Sequence, residues 1–300
     1  MRLVCAGLAT VDVVYRVDRI PGVDEKAEAT GVEIAAGGPA TNAAVTASAL
    51  GAEVTLVTAV GAHPLGGLIR ADLAERGVRL LDAAPHATEP PPVSAITVLH
   101  GTGQRTVVSR NAAGAAAGVP EGLDRALASA DAVLVDGHHP ALAAAAARAG
   151  RPLVVDAGSW RPVFAGVFPH ATVVACSAAF RHPAPPPAAP LARDAADTAT
   201  AEAILATGAR HVAITHGPDP IAWWSPSGSG TVPVPRVDAA DTAGAGDVFH
   251  GALAGAVARD PGTADLPAAL AYAAAVAAIR VAHAGPRAWL ADPLLSTLRR

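Results

Sequence analysis

Residues 241–253 read DTAGAGDVFHGAL: an Asp-Thr pair, two glycines around an alanine, and an aspartate heading an apolar run. Val248, Phe249, Ala252, Leu253, Ala256 and Val257 recur at helical spacing, which predicts a helix starting near residue 245. Gly244 and Gly246 permit tight backbone turns, positive φ included, and put no side chain between backbone and ligand. The first amides of that helix, Ala245 to Val248, lack intrahelical partners, and with the helix dipole they make an anion site. Asp247 stands among them. Amides and dipole together predict a lowered pKa for Asp247, hence an ionised carboxylate that accepts a hydroxyl proton as a transfer proceeds. Taken alone, the stretch fits equally a helix start with a favourable first-turn acid.

Outward from this stretch, short apolar runs alternate with alanine-rich helical ones. Strands are predicted over 2–9, 53–61, 132–137, 152–158, 172–177 and 211–217, and helices over 41–50, 64–76, 121–129, 140–149, 198–208 and 266–283. Near-continuous apolar strands belong to a parallel sheet covered on both faces, so the fold class is α/β with a mainly parallel central sheet. Residues 11–36 and 93–110 alternate apolar and polar at period 2 instead, the second as a hairpin about His100–Gln104. Such strands suit a small sheet exposed on one face, and the two pieces can pair into one flap. The unpaired edges of such a flap call for a cover, and a homodimer through it is expected. The segment RHPAPPPAAP, 181–190, is a proline-rich surface loop.

Composition narrows the partners. The chain has 300 residues, half of them hydrophobic, with few aromatics and many alanines, so the core is built from small aliphatic side chains. A net charge of −4 with no basic run excludes nucleic acid and anionic membrane surfaces as expected partners. Cys5 and Cys176 form no disulfide framework and have no metal-ligand spacing, so a reducing cytoplasm is expected. The N-terminus has no secretory signal pattern, and no apolar run is long enough to span a bilayer. Lys26 is the only lysine and no GxxxxGK[ST] occurs, which excludes a P-loop.

DTAGAGD before an apolar helix resembles the C-terminal signature of the PfkB, or ribokinase-like, family of carbohydrate kinases. AAGGPATNAAVTASALGA, 35–52, is similar to the family's other motif, and the likeness runs from about residue 2 to 290. The resemblance implies one α/β/α sandwich domain over 1–300 with a small β-sheet lid made of 11–36 and 93–110. It implies transfer of the ATP γ-phosphate to a sugar hydroxyl, with Asp247 as base and the Gly244, Ala245 and Gly246 amides as anion hole. Mg2+ would travel with the nucleotide rather than sit in a protein cage, and no P-loop lysine is needed.

On the sugar side the resemblance points to Asp12, Gly37, Gly38 and Asn42. A water-facing aspartate, a plain turn and a first-turn helix residue are the alternatives. His138 stands where ribokinases carry a glutamate and sulfofructose kinases an arginine, so it departs from both. Arg110, with Ser109 and Asn111, ends the second lid piece and contacts either substrate or solvent. On the nucleotide side Thr215 and Gly217 resemble a Thr-x-Gly turn beneath ATP, with Pro220 where a second glycine is usual; an ordinary hairpin turn is the other reading. Gly285 matches the loop that flanks the adenine and, in some members, a monovalent cation such as K+, a site to which Asp241 and Thr242 are expected to contribute, though Asp241 also suits a turn cap.

The family's Asn-x-x-Glu motif is missing from ACSAAF, 175–180. That places the chain nearer the ketohexokinase- and sulfofructose-kinase-like branch and makes a ketose or related carbohydrate the expected acceptor. Asp156 is a candidate acid near the phosphates, or a strand-end cap. Two alternatives stay open. A nucleoside kinase of the same fold needs an aromatic platform, for which Tyr15 is the candidate near the lid; a sugar-binding regulatory protein would have lost transfer.

Overall fold

The computed structural model describes residues 1–113, 117–183 and 193–299. Most of the predicted proline-rich loop, 184–190, lies outside them. The chain runs β1 (Arg2–Ala6), β2 (Thr10–Val17), β3 (Gly31–Gly37), α1 (Pro39–Ala49), β4 (Glu53–Thr58), α2 (Pro64–Glu75), β5 (Val78–Asp82), β6 (Val93–Leu99) and β7 (Arg105–Ser109). It continues with α3 (Leu123–Ser129), β8 (Ala132–Val135), α4 (Pro140–Ala147), β9 (Leu153–Ala157), α5 (Phe164–Val167), β10 (Val173–Ser177), α6 (Arg193–Leu205) and β11 (His211–His216). The last elements are β12 (Asp219–Ser225), β13 (Gly228–Val232), α7 (Ala245–Arg259), α8 (Leu266–Val281) and α9 (Pro293–Leu298).

Nine strands form the main sheet in the order β13-β12-β11-β10-β9-β8-β1-β4-β5, parallel from β11 to β5 and antiparallel at the β11–β12 and β12–β13 pairs. Successive residues of a strand face opposite sides, and here both sides are buried. Leu3 and Cys5 belong to the core beneath α1, α7 and α8, while Val4 and Ala6 belong to the core beneath α3, α4 and α6. This double burial is why the strands are apolar without alternation.

The first strand ends at Ala6, short of the predicted residue 9. Gly7 N donates to Val57 O (3.1 Å) and Leu8 N to Asp136 Oδ2 (2.8 Å), and the chain then crosses to start β2. Asp12 therefore sits inside a strand rather than after one. The β12–β13 hairpin and β5 were not predicted as strands. Pro220 lies in β12, paired with β11, and the Gly228–Gly230 run lies in β13, paired with β12, with Gly230 under the Trp223 ring.

The second sheet has the order β3-β2-β6-β7, so residues 10–17 and 31–37 pair with 93–99 and 105–109. Val14, Ile96 and Val98 are buried on its inner face. Its outer face leaves Tyr15, Val32, Ile34 and Val108 exposed. The β6–β7 turn rests on the main body: a Cβ on Gly103 would lie 2.9 Å from the Ala240 carbonyl carbon, and Thr242 Oγ1 donates to Gly103 O (2.9 Å).

Candidate active site

The strand order reverses at β1, which has β4 on one side and β8 on the other. In open α/β sheets the crevice beyond the strand ends at such a point takes the ligand. Here it holds a cavity of about 590 Å³, floored by the starts of α1 and α7 and roofed by Val14, Ser94, Ile96 and Val107 of the second sheet. The two helices meet closely because Gly251 lacks a side chain; a Cβ there would be 2.4 Å from Ala43 O. That approach brings Asn42 and Asp247, 205 residues apart in sequence, to a 2.8 Å hydrogen bond from Nδ2 to Oδ2.

Gly244 caps α7 in the left-handed region (φ 72°) and Gly38 precedes α1 at φ 94°. The set of free amides is narrower than predicted. Val248 N already donates to Gly244 O (3.0 Å) and Ala245 N leans on Thr242 O (3.4 Å). Among the described residues the Gly244, Gly246 and Asp247 amides find no acceptor, which leaves them to a ligand.

The expected low pKa of Asp247 is corrected by the structure. Burial and the nearby Asp156 charge push its carboxyl up to about 6; the Asn42 hydrogen bond and His250 oppose the shift, and Asp12 adds to it. Among the described residues no backbone amide donates to this carboxylate, so desolvation and like charge decide the direction. Asp156 lies in β9, buried and lining the same cavity. His250 Nδ1 stands 3.1 Å from Asp156 Oδ2. Burial works against a charged His250, yet Asp156 beside it carries its pKa up. Asp12, also raised by burial, accepts from Thr10 Oγ1 (2.5 Å).

A second group closes the other end. Asp136 takes the Leu8 amide and the Ala40 amide (3.2 Å) on Oδ2 and the His138 amide (2.9 Å) on Oδ1. Burial alone would raise its pKa; the adjacent His138 ring and the Leu8 and His138 amides lower it to about 2. Arg161 Nη2 donates to His138 Nε2 (2.6 Å), so the other ring nitrogen carries a proton and faces Asp136 Oδ1 at 3.2 Å.

Asp247, Gly244, Gly246, Asp12, Gly38, Asn42, His138, Thr215 and Asp241 all line the cavity. Gly37 lies just behind it, because a Cβ there would run into the Asp12 carboxylate. Ala245, Gly217, Thr242 and Gly285 do not line it, and Arg110 is exposed outside it while Arg105, Ser109 and Asn111 face in. Thr242 is bound to the β6–β7 turn, accepting from Arg105 Nη1 at its carbonyl (2.9 Å). Gly217 sits in the β11–β12 turn at φ 63°.

Asp241 departs most from expectation. Its Oδ2 faces Arg16 (3.1 Å) and Arg280 (3.3 Å) and accepts the Gly285 amide (3.1 Å), so two guanidinium groups stand where a monovalent cation was expected. Arg16, Arg280, Arg161, Arg287 and Asp136 are the residues that sequence reasoning missed. Arg280 had a signal: it is the one charge in the apolar run from 266 to 282. Among the described residues no group of three or more His, Cys, Asp or Glu side chains is placed to hold a metal.

A family model described as pfkB family carbohydrate kinase matches residues 1–292. An ATP-dependent ribose-1-phosphate kinase from Halopiger xanaduensis is 30% identical over 296 residues, covering 96% of this chain and 94% of that protein. Among solved structures, a ribokinase from Giardia lamblia superposes with a TM-score of 0.81 at 19% identity, covering 99% of this chain and 98% of the other. Arabidopsis thaliana ribokinase, solved with ribose and ATP, gives 0.76 at 21% identity with the same coverage. The site at the sheet's switch point thus sits in a ribokinase-like fold, and the chain belongs to the pfkB family as an ATP-dependent carbohydrate kinase.

Proposed function

We propose that this kinase phosphorylates a hydroxyl of a sugar that already carries an anionic group, a pentose phosphate in first place, with Asp247 as general base. The observation that carries the choice of sugar is the Arg161–His138 pair lining the cavity. Among the described residues Arg161 uses one of its donors, on His138, and the others are left to an anion. The name of the relative, a ribose-1-phosphate kinase, supports the same choice. A neutral ketose, the acceptor expected from the missing Asn-x-x-Glu motif, would leave this cation in the cavity uncompensated. A nucleoside is disfavoured by the lining: Tyr15 is outside it, and Trp289, which lines it, is buried with its Nε1 donating to Pro286 O (3.2 Å) and offers no open ring face.

In the proposed transfer, Asp247 receives the hydroxyl proton at Oδ1 or Oδ2 while Asn42 holds the carboxylate in place. The Gly246 and Asp247 amides meet the charge that builds on the moving phosphoryl group. ATP enters as substrate with its magnesium, which neutralises phosphate charge, along the side lined by Gly158, Ser177 and Thr215. The second sheet acts as a lid, and its closure excludes water. The intact base and amides support a working enzyme over a silent sugar-binding protein.

Arg161→Met is expected to lower kcat/KM for a pentose phosphate by about tenfold to a hundredfold and to leave neutral pentoses and ketoses within about threefold. Coupled ADP release with both classes of sugar measures this. Equal losses for both would remove the anionic-sugar assignment. Because Arg16 and Arg280 already compensate Asp241, rates in potassium and in tetramethylammonium chloride are expected to agree; a requirement for potassium would overturn that reading. We assign the exposed outer face of the second sheet to a second copy of the chain, and light scattering should give the mass of a dimer.

A further inference from the structure

Arg287 follows Gly285 and Pro286 in the loop after α8 and lines the cavity, yet it is not available to a ligand. A guanidinium has five N–H groups, and each has an acceptor here. Nε donates to Asp72 (3.3 Å to Oδ2), Nη1 to Asn42 Oδ1 (3.2 Å) and Pro286 O (3.3 Å), and Nη2 to Ala36 O (2.6 Å) and Asp72 Oδ2 (2.8 Å). Asp72, on α2, also accepts the Ala36 amide (3.0 Å). The pair therefore holds both backbone groups of the residue that leads into Gly37 and Gly38.

The contact with Asn42 has a directional consequence. Arginine only donates, so the atom of Asn42 that faces it must be the oxygen, and the amide nitrogen is turned to Asp247 Oδ2. Without Arg287 the amide loses the donor that holds its oxygen, and the bond to Asp247 is left to orient it alone. We propose that Arg287, anchored by Asp72, is a positioning residue that fixes which end of Asn42 meets Asp247 and so sets the placement and ionisation of the proposed base. This inference rests on Asp247 being that base.

The groups around Asp247 are Asn42 from α1, Asp156 from β9, Asp12 from β2 and His250 from α7 itself, and of the hydrogen-bonding ones Asn42 favours the ionised form. Losing its amide raises the Asp247 pKa, which moves the acid limb of turnover to higher pH. The test is a double-mutant cycle with Arg287→Met and Asn42→Ala in the full chain, reading kcat and KM from about pH 5 to 9. Arg287→Met is expected to lower kcat roughly tenfold, to raise the acid limb by about half a pH unit or more, and to change the KM for ATP by less than about threefold. In the Asn42→Ala background it is expected to add nothing further, and Arg287→Lys should restore part of the limb.

An unmoved acid limb, or losses that multiply in the double variant, would overturn the inference. Should Arg287→Met not fold, Asp72→Asn loosens the same guanidinium: a raised acid limb supports the inference and an unmoved one overturns it. Asp247→Asn is run alongside. If it turns over at the wild-type rate, the base assignment fails and takes this inference with it; if it is inactive while the cycle is additive, only the role of Arg287 is refuted.

Discussion

Replacing Asp247 by asparagine is expected to lower kcat by about 10²–10⁴-fold while stabilising the fold above pH 6. The loss of rate follows from removing the proton acceptor that Asn42 holds at the head of α7. The gain in stability follows from the same burial that makes the group a useful base. Asp247 titrates near 6 in the folded chain, whereas an unfolded aspartate titrates near 4. Above pH 6 it is ionised in both states, and the native state bears the cost of holding a buried carboxylate near Asp156 and Asp12. Below about pH 4 it is protonated in both states and the cost is gone. A shift of about two units corresponds to roughly 3 kcal/mol at most.

Thermal melts of the Asp247→Asn variant should therefore lie above wild type at pH 8 and converge on it near pH 4. The reverse order would show that Asp247 is not held in a raised state. The wild-type rate should fall as pH drops through about 6, since the protonated carboxyl cannot accept.

Gly38→Ala is expected to cost roughly 3 kcal/mol or more of stability and to abolish sugar-dependent turnover. Gly38 has φ 94° and ψ 150°, a region open in practice to glycine alone, and occupying it costs any other residue about 1–3 kcal/mol. A Cβ would also stand 2.5 Å from the Leu8 carbonyl oxygen. Neither side of that clash is free to give way. Leu8 is fixed by its amide on Asp136 Oδ2, and Gly38 O accepts the Asn42 amide (2.9 Å) at the start of α1. Any relief moves Asn42, and with it Asp247. Gly67→Ala is the control. Gly67 lies in α2 with open space where a Cβ would go, so that change should be neutral or stabilising by up to about 1 kcal/mol. Urea midpoints of the two variants measure the contrast, and a Gly38→Ala protein with a wild-type midpoint would show that the backbone there is not constrained.

The parts of the site that could be read in the sequence are those whose chemistry is local. The acid at a helix head, Asp247, announces itself within a few residues, whereas Gly38 and Asn42 were pointed to by the resemblance of 35–52 to a family motif. The central strands were legible for a related reason: burial on both faces leaves an unbroken apolar run. Edge pieces carry a weaker pattern, so β5 and the glycine-rich β13 went unseen until pairing supplied the missing order.

Charge was the property least legible. The pKa of Asp247 depends on Asp156 and Asp12, which the fold brings from β9 and β2, and local amides alone gave the wrong sign. Asp241 looked like a cation ligand until Arg16, from the second sheet, and Arg280, from α8, were seen against it. Arg287 is a single arginine after a Gly-Pro turn in the sequence. Its meaning comes from Asp72 and Asn42, 215 and 245 residues away.

The most direct test of the central claim is 31P NMR of ATP mixed with the wild-type chain and a panel of pentose phosphates, neutral pentoses, ketoses and nucleosides, repeated with Asp247→Asn. Wild type is predicted to convert ATP to ADP with a new phosphate ester on a pentose phosphate, and the variant to form none above background. Transfer to nucleosides alone, or the new ester appearing at the wild-type rate with Asp247→Asn, would contradict it.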